Sequence, residues 1–249
     1  MGIDHTEINH LNRFLEISQP KEILKWCHEN LQNEIAMTTS LQISGMVILD
    51  LLNKAGIEIP VYFIDTGFHF QETYDFKLKV ESHYNISINT ISPEDSKDKF
   101  EHLYGKCLHD RDPDFCCLKN KIEPQNAIMN GSGYTHWLSA IRKDQSQSRA
   151  NFKVLMLDEN EFIRVHPLLN WKWDDVWDYI NKNNVPYHPL YSFGYSSIGC
   201  APESCTSQGN FEQGERSGRW KNTTKTECGL HQKLSVAVDH KSIIQGITY

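Results

Sequence analysis

The sequence has no long apolar run and no excess of positive charge. No stretch approaches the roughly 18 consecutive apolar residues that a membrane-spanning helix needs, and the start MGIDHTEINHLNRF lacks the apolar core of a secretion signal. The formal net charge of −7 argues against a general nucleic-acid binder, since such proteins usually carry a basic balance. We therefore expect a cytoplasmic protein that binds neither membrane nor nucleic acid, with room for a local basic pocket that binds a small anion.

The sequence also lacks an even set of cysteines. Seven cysteines in a chain of 249 residues, in a reducing compartment, argue against a disulfide framework. Metal ligation, redox catalysis and simple burial remain, and the adjacent pair at 116 and 117 favours metal ligation. The cysteines are Cys27, Cys107, Cys116, Cys117, Cys200, Cys205 and Cys228.

What the sequence does contain is an alternation of strand-like and helix-like segments, with no repeats and no low-complexity linker. Hydrophobic content of 39% and charged content of 23% are ordinary for a globular chain of this length. The alternation predicts an α/β fold with a parallel sheet flanked by helices. Helices are predicted over 22–34, over 41–55 with a stop at Gly56, over 72–85, over 124–131, and within 172–186 with a stop at Asn183-Asn184 and Pro186. Strands are predicted near 35–40, 57–67 and 86–93, a strand or helix from 135, and two strands around a turn in 152–171.

Two turns at predicted strand ends could bind a ligand. In TTSLQISGM, hydroxyl residues and Gly45 lie ahead of a helix, where backbone N–H groups attract anions. The same residues also suit ordinary helix capping. The turn Asp65-Thr66-Gly67 follows the next predicted strand, and ligands of open α/β sheets bind at the carboxyl ends of strands.

A single thiol lies near the end of the sequence, in KTECGLHQK. Cys228 has few apolar neighbours, which favours a reactive thiol over an inert buried one. A reactive thiol needs cations nearby to hold it as thiolate, and GERSGRW supplies Arg216 and Arg219 just upstream. Four other thiols, in DFCCLKNK and IGCAPESC, suit either a [4Fe–4S] cluster or a zinc ion.

Taken together, these blocks resemble the assimilatory sulfonucleotide reductases, which act on adenylylsulfate (APS) or 3′-phosphoadenylylsulfate (PAPS). The resemblance runs from about residue 22 to 231 and rests on KTECGLH after RSGRW, with FIDTGFHFQETYDF, RKDQSQSR, VHPLLNWKWDDVWDYI and VPYHPLYSFGYSSIGC in the same order. It implies an adenine-nucleotide α-hydrolase-like fold of the PP-loop type, with a C-terminal tail that bears the cysteine. The chain would divide into an N-terminal segment 1–21, a reductase domain 22–231 and a C-terminal tail 232–249. Within the reductase domain, residues 194–231 would form the cluster loop and the catalytic tail. This catalytic tail, which bears Cys228, is the segment called the tail.

The resemblance also implies a mechanism. Cys228 would take the sulfonate group from the nucleotide as S-sulfocysteine, and thioredoxin or glutaredoxin thiols would then release sulfite. The tail would close on the nucleotide and afterwards swing out to the protein partner. By family position, the substrate-binding residues would be Ser40, Gln42, Ser44, Asp65, Thr66, Gly67, Lys121, Arg142, Asp144, Gln145, Arg216, Arg219 and His231.

The double cysteine together with a later pair accompanies a [4Fe–4S] cluster and the use of APS in this family. We expect Cys116, Cys117, Cys200 and Cys205 to hold the cluster, Cys107 to be a bystander and Cys27 to lie in the core. Three features depart from the family pattern. The later pair is separated by four residues instead of two, and Asn120 stands where an arginine that contacts the anion is usual. The phosphate loop reads SLQISG, where the family often has Ser-Phe-Gly or Ser-Gly followed by Ala-Glu-Asp.

Three other functions remain open on the sequence. The first is a PAPS reductase with degenerate cluster cysteines. The second is an ATP pyrophosphatase on the same scaffold, although SLQISGM does not supply the SGGxDS-type loop of those enzymes. The third is a non-catalytic zinc-binding module, which would give Cys228 no role. The sequence leaves open whether the chain forms a homo-oligomer.

Overall fold

A twisted sheet lies at the centre of the fold, and five of its six described strands are parallel. The computed structural model describes residues 5–158, 161–201, 205–208, 214–220, 223, 225, 227, 228 and 230. The strands of the central sheet are short and mostly buried, as expected for strands covered by helices on both faces. They are β1 (Ile35–Thr38), β2 (Val61–Ile64), β3 (Ile88–Ile91), β4 (His136–Leu138), β5 (Leu155–Leu157) and β6 (Ile163–Val165).

The strand order places a ligand site at one edge of this sheet. The order is β3-β2-β1-β4-β6-β5, with β1 parallel to both β2 and β4. After β1 the chain runs to β2 on one side, whereas β4 lies on the other side. Loops that leave β1 and β4 therefore diverge and open a crevice at the carboxyl ends of the strands. The predicted parallel sheet is correct except for β5, which pairs antiparallel with β6, as only five residues separate the two strands in the sequence.

Five predicted helices are present with shifted ends, and four further helices, the first and the fifth to seventh of the described part of the chain, were not predicted. They are α1 (His5–Leu15), α2 (Pro20–Asn30), α3 (Ile43–Ala55), α4 (Gln71–Tyr84), α5 (Lys97–Tyr104), α6 (Leu108–Arg111), α7 (Pro113–Cys117), α8 (Glu123–Ser132) and α9 (Trp173–Asn183). A π-helical turn, Leu118–Ile122, links α7 to α8, and 3-10 turns occupy Lys143–Gln145, Gln147–Arg149 and Pro189–Phe193. A separate hairpin pairs β7 (Tyr195–Ser197) with β8 (Ser207–Gln208).

Local signals placed the end of α3 correctly, but they misplaced the end of α8 and both ends of α2. Gly56 stops α3 in the left-handed region, at φ 63°, as predicted. Helix α8 does not end at Asn130-Gly131, because the left-handed residue is Gly133 at φ 74°. Helix α2 begins and ends earlier than predicted. Its first turn starts at Pro20 and is capped by Glu22, whose carboxylate accepts the Gln19 N–H at 2.8 Å.

The main apolar core surrounds α3, which packs against α2 and α9. Helix α1 also contributes Ile8 and Leu15 to this core, and the Asn12 amide bonds both backbone groups of Leu155. Cys27 lies in the same core, as expected, and burial raises its pKa to about 12. The divisions at residues 21/22 and 231/232 stay predictions. None of the helices in the described ranges has the length and apolarity that crossing a bilayer requires.

Candidate active site

A cavity of about 160 Å³ opens at the carboxyl ends of β1, β2 and β4. Its lining joins residues from the loops that follow those strands to five residues of the C-terminal segment, Glu215, Arg216, Arg219, Cys228 and Leu230. Eight predicted site residues meet there, from five parts of the chain. These are Ser40, Gln42, Ser44, Lys121, Gln145, Arg216, Arg219 and Cys228.

The loop after β1 and the N-terminus of α3 form one wall of the cavity. The loop turns sharply, with Leu41 at φ 58°, and a side chain on Gly45 would come within 2.7 Å of the Thr39 hydroxyl. The Gln42 side-chain oxygen accepts the Ile198 N–H at 2.9 Å, which fixes this wall against β7. The first N–H groups of α3 thus face the cavity beside Ser40 and Ser44, an arrangement that favours an anion.

Three cationic side chains form the opposite wall. Lys121 lines the cavity together with Arg216 and Arg219, whose guanidinium carbons lie 5.3 and 4.3 Å from the centre of the Trp220 ring. The Nε of both arginines is buried and has no hydrogen-bond partner among the described residues. Burial, with Arg219 and Arg149 nearby, lowers the pKa of Arg216, and the ion pair with Glu227 offsets only part of this shift. An anionic ligand would supply both the acceptors and the charge.

Cys228 lies in the same cavity and is only 7% exposed. Its backbone N–H donates to the Glu227 carboxylate at 2.9 Å, and its thiol forms a hydrogen bond with the Cys117 thiol. Burial lowers the pKa of Lys121, but the sulfurs of Cys200, Cys228 and Cys117 outweigh burial and the net shift is upward. A protonated lysine therefore stays next to the candidate nucleophile.

The RKDQS motif, which begins at Arg142, contacts residues of the cavity lining. Arg142 is fully buried and donates to the Ser44 hydroxyl, to Asp144 at 2.9 Å and to Glu215 at 2.5 Å. Asp144 in turn accepts the first N–H of α9, from Trp173, at 2.7 Å. Neither Arg142 nor Asp144 is part of the cavity lining, whereas Gln145 is. Arg142 and Asp144 thus hold neighbouring residues of the site in place, and their contact with substrate stays a prediction.

The Asp65-Thr66-Gly67 turn also lies outside the lining of this cavity. Asp65 accepts the Gly67 N–H at 2.9 Å and the Tyr74 hydroxyl at 2.8 Å. The Thr66 hydroxyl lies 3.3 Å from the sulfur of Cys200, on the side of the thiols. The role of this turn in binding adenosine stays a prediction. His231 lies outside the described residues.

The four thiols predicted to hold a cluster border a second, small apolar cavity. Cys116 and Cys117 come from α7, and Cys200 and Cys205 lie around the end of the β7–β8 hairpin. A side chain at Gly199 would collide with the Cys205 carbonyl, so glycine allows the two cysteines of the hairpin to approach. The aromatic rings of Phe68 and Trp220 complete the lining.

A hydrogen bond joins two of these thiols, those of Cys200 and Cys205. A hydrogen bond from Cys205 lowers the pKa of Cys200 well below its ordinary value, and the same bond raises the pKa of Cys205. Burial raises the pKa of Cys116 to about 11. Four sulfur donors in an apolar surrounding, with Lys121 adjacent, fit an iron–sulfur cluster by donor chemistry. Cys107 is exposed and groups instead with His109 and Asp110.

Three residues at the site were missed in the sequence. Arg149 lines the main cavity and forms a bidentate ion pair with the buried Glu227. His69 also lines this cavity, with its Nε2 within 2.9 Å of the Ile64 carbonyl and its Nδ1 buried without a hydrogen-bond partner among the described residues. In the sequence, Arg149 and Glu227 were recognisable only as charged residues next to a motif. Their pairing could not be predicted, because they are 78 positions apart.

Comparison with known proteins agrees with this geometry. The model of the phosphoadenosine phosphosulfate reductase domain matches residues 34–208. Adenosine 5′-phosphosulfate reductase 2 of Bacillus subtilis is 41% identical over 214 residues, which cover 85% of this chain and 89% of the relative. Phosphoadenosine 5′-phosphosulfate reductase of Gloeobacter violaceus is 35% identical over 233 residues, which cover 93% and 96%.

The fold is also that of a solved family member. Phosphoadenylyl-sulfate (PAPS) reductase from Candida auris, in a phosphate complex, superposes with a TM-score of 0.72 at 31% identity and covers 81% of this chain and 97% of that one. The predicted fold class is therefore confirmed. With a family model that matches most of the chain and relatives of about its own length, this chain belongs to the phosphoadenosine phosphosulfate reductase domain family.

Proposed function

We propose that this protein reduces adenylylsulfate to sulfite and AMP with thiols from thioredoxin or glutaredoxin. One observation carries the proposal. A buried cysteine shares a single cavity with four cationic side chains, two of which have buried Nε–H groups without a partner among the described residues. This arrangement suits a nucleophile beside a site for a doubly anionic group. The curated relatives named above act on such nucleotides, by their names.

Binding follows from the charge of the two walls. The N-terminus of α3, with Ser40 and Ser44, would receive the nucleotide phosphate through N–H and hydroxyl donors. Arg216 and Arg219 would bind the sulfate oxygens through their unpaired Nε–H groups, and Lys121 would add charge without fixed geometry. The substrate would thereby place its sulfur atom near Cys228.

In the first step, the Cys228 thiolate attacks that sulfur atom. A sulfur–sulfur bond forms, the bond between sulfur and the bridging phosphate oxygen breaks, and AMP leaves with the bonding electrons. Charge accumulates on the phosphate oxygens in the transition state, where the α3 N-terminus and the cations stabilise it. The product on the enzyme is S-sulfocysteine at Cys228.

In the second step, a thiolate of the dithiol protein attacks the Cys228 sulfur and sulfite leaves. The resulting mixed disulfide is resolved by the second thiol of that protein, which becomes oxidised while Cys228 returns as thiolate. Two electrons pass in total, and both come from the dithiol. Because Cys228 is 7% exposed in the closed structure, the tail must move before this step.

Cys116, Cys117, Cys200 and Cys205 would hold a [4Fe–4S] cluster, which when bound supplies charge and structural order beside the sulfate site. A zinc ion fits this arrangement less well. Sulfurs around one tetrahedral zinc lie about 3.8 Å apart, whereas no three of these four lie within 4.8 Å of one another in the described structure. Anaerobic purification with iron, sulfide and zinc analysis tests this assignment. Zinc without iron would support the non-catalytic module.

PAPS reduction is the second candidate, because relatives named for that activity match at similar identity. The four sulfur ligands favour APS. Steady-state rates with the two nucleotides, at equal concentration of the same thioredoxin, separate the candidates: we expect a higher kcat/KM for APS.

The central test is mass spectrometry after treatment with APS in the absence of thiols. We expect one SO₃-sized adduct, on the peptide that contains Cys228, and its loss when thioredoxin is added. In Cys228→Ser the adduct and sulfite release should vanish while AMP binding persists. An adduct on another cysteine, or undiminished turnover in the serine variant, would overturn the proposal.

A further inference from the structure

The residue that precedes Cys228 is held by an unusually complete set of partners. Glu227 is 1% exposed, and Arg149, which is 3% exposed, pairs with it in bidentate geometry. Arg149 Nε donates to Glu227 Oε2 at 2.6 Å, and Nη2 donates to Oε1 at 2.8 Å. Such a pair fixes orientation as well as distance, since two parallel bonds join two planar groups.

The same carboxylate orients two groups of the cavity. Its Oε1 accepts the Cys228 backbone N–H at 2.9 Å and Arg216 Nη2 at 2.8 Å. Arg149 is itself held from the other side, because its remaining nitrogen, Nη1, donates to the Gln145 side-chain oxygen. The chain of contacts therefore runs from the 3-10 turns after β4, through Arg149 and Glu227, to the nucleophile and to one sulfate-binding arginine.

This pair is stable only when it is complete. A buried carboxylate without its arginine retains most of its desolvation penalty, so losing one partner is strongly destabilising for the closed arrangement. When the tail leaves the cavity, both groups regain water and the penalty disappears. The pair thus favours two states, closed and fully paired or open and solvated, over intermediate positions.

The proposed function needs those two states, and the inference rests on it. The attack on the sulfonucleotide needs Cys228 inside the cavity with the cations. The attack of the protein dithiol needs Cys228 outside, because a buried sulfur cannot reach the thiols of another folded protein. Whatever holds Glu227 therefore controls the exchange between the two half-reactions.

We propose that Arg149 and Glu227 form a latch that seats Cys228 for attack on the nucleotide and whose opening presents Cys228 to the dithiol partner. Both are positioning residues. Arg149 acts on the nucleophile through Glu227, and Glu227 acts through the backbone of Cys228 and through Arg216.

The test compares three measurements on full-length, anaerobically purified protein. The variants are Arg149→Lys, which keeps the charge but loses the bidentate geometry, and Glu227→Gln, which keeps the shape but loses the charge. The matched control is Arg164→Lys, because Arg164 also donates through Nε and Nη2 to a carboxylate, that of Asp158, at 2.8 and 2.7 Å but outside the cavity.

The first measurement is the rate at which iodoacetamide alkylates Cys228, followed on its peptide by mass spectrometry. Both latch variants should react about tenfold faster than wild type, as expected when a charged hydrogen bond in a closed state is lost. The control should react at the wild-type rate. The double variant should gain less than the product of the single effects, because the two residues act as one pair.

The other two measurements separate the half-reactions. Single-turnover formation of S-sulfocysteine from APS should slow about tenfold in both variants. Sulfite release by thioredoxin from enzyme already sulfonated should be unchanged or faster. A residue needed only for folding would slow both half-reactions together and lower the melting temperature.

Several outcomes overturn the latch: unchanged alkylation in both variants, multiplicative effects in the double variant, or equal slowing of both half-reactions. Failure of the proposed function is a different result. In that case APS leaves no adduct on wild-type Cys228, yet faster alkylation in the variants still establishes the latch as the residue pair that closes the tail.

Discussion

The two walls of the cavity are held in place by different forces. The wall at the sheet, with Ser40, Gln42 and Ser44, follows β1 and α3, whose buried side chains belong to the main apolar core. The wall from the C-terminal segment, with Arg216, Arg219 and Cys228, is tied to the rest of the fold by ion pairs. These are Arg142–Glu215, Arg149–Glu227 and Asp114–Lys225.

This difference matches what each wall must do. Apolar packing holds the nucleotide wall in one conformation, because separating it would expose core side chains to water. Ion pairs orient groups well but lose little when both partners become solvated, so a segment held by them can leave and return. A fold that holds its nucleophile through ion pairs can keep its binding site rigid while the nucleophile moves between two reaction partners.

The largest loss of unfolding free energy is expected from a substitution in the main core, and it should leave the accessibility of Cys228 unchanged. Leu24, on α2, is 1% exposed in the main core, and Leu24→Ala should lower the free energy of unfolding by about 3 kcal/mol. For a domain of this size, that corresponds to a fall of roughly 6–12 °C in melting temperature. Alkylation of Cys228 well below the transition should stay at the wild-type rate. A parallel rise would show that the two walls are not separable.

A second prediction concerns pH and the sheet side of the molecule. His188 is fully buried between Thr73, at 3.0 Å from its Nε2, and the Leu190 N–H, at 3.3 Å from its Nδ1. Burial lowers its pKa from 6.5 to about 4, against a small upward effect of Glu72 and a further downward effect of His69. The folded state therefore binds fewer protons than the unfolded state between these values.

The sign follows from that difference in proton binding. The stability linked to neutral His188 is complete above pH 6.5 and is lost as the pH falls towards 4, by up to about 3 kcal/mol. Denaturant unfolding at pH 7 and at pH 4 should show this loss in wild type and a smaller loss in His188→Gln, which does not titrate. Equal losses in both proteins would show that other groups cause the acid sensitivity.

Much of the fold could be predicted from local sequence signals. Gly56 and Asn184 both end helices in the left-handed region, at φ 63° and 52°, and each was predicted from its residue type and place after an apolar run. The strand order could not be predicted, because it depends on pairing between segments that are distant in the sequence. The pair β5 and β6 is local, and it matches the two strands predicted around a turn in 152–171. Helices α5 to α7 were not predicted, since they are short and weakly periodic.

The candidate site was predicted in its parts but not in its connections. Motif residues such as Lys121, Arg216 and Cys228 do meet in one cavity. The partners that hold them there could not be predicted from the sequence. An ion pair such as Arg149–Glu227 joins residues 78 positions apart and leaves no periodic pattern. For Thr66 the structure adds a contact that the motif did not indicate, because its hydroxyl lies 3.3 Å from the Cys200 sulfur, while its role in binding the nucleotide stays a prediction.

A third prediction tests the residue that joins the two walls. Arg142 is fully buried between Ser44 on the sheet side and Glu215 on the tail. In Arg142→Met the buried carboxylate would lose its partner, which costs about 3–5 kcal/mol if it stays in place. Because the tail can instead move Glu215 into water, we expect a loss of only about 2 kcal/mol in chemical denaturation.

The same variant should raise the alkylation rate of Cys228, unlike Leu24→Ala. A loss of unfolding free energy as large as that of the core variant, with unchanged alkylation, would mean that Glu215 remains buried and that the tail is part of the rigid core.

The smallest effect is expected at the tie between the tail and the cysteine helix α7. Lys225 is completely buried along its side chain, whereas its partner Asp114, at 2.5 Å, is half exposed. Water screens such a pair, so Asp114→Asn should change the free energy of unfolding by less than about 1 kcal/mol. Lys225 also keeps the Pro113 carbonyl, at 3.2 Å, as a second acceptor.

Alkylation of Cys228 is the sharper measurement for this tie. We expect a rise of about two- to threefold in Asp114→Asn, the equivalent of about half a kcal/mol, because one of several ties weakens without breaking. The control is Asp95→Asn, which removes a pair of equal length, Asp95–Lys99 at 2.5 Å, at the start of α5 and outside the lining of both cavities. If Asp114→Asn instead matched the effect of Arg149→Lys, the tail would be held equally at both ends. The nucleophile would then depend on α7, and so on the state of its two cysteines, as much as on Arg149.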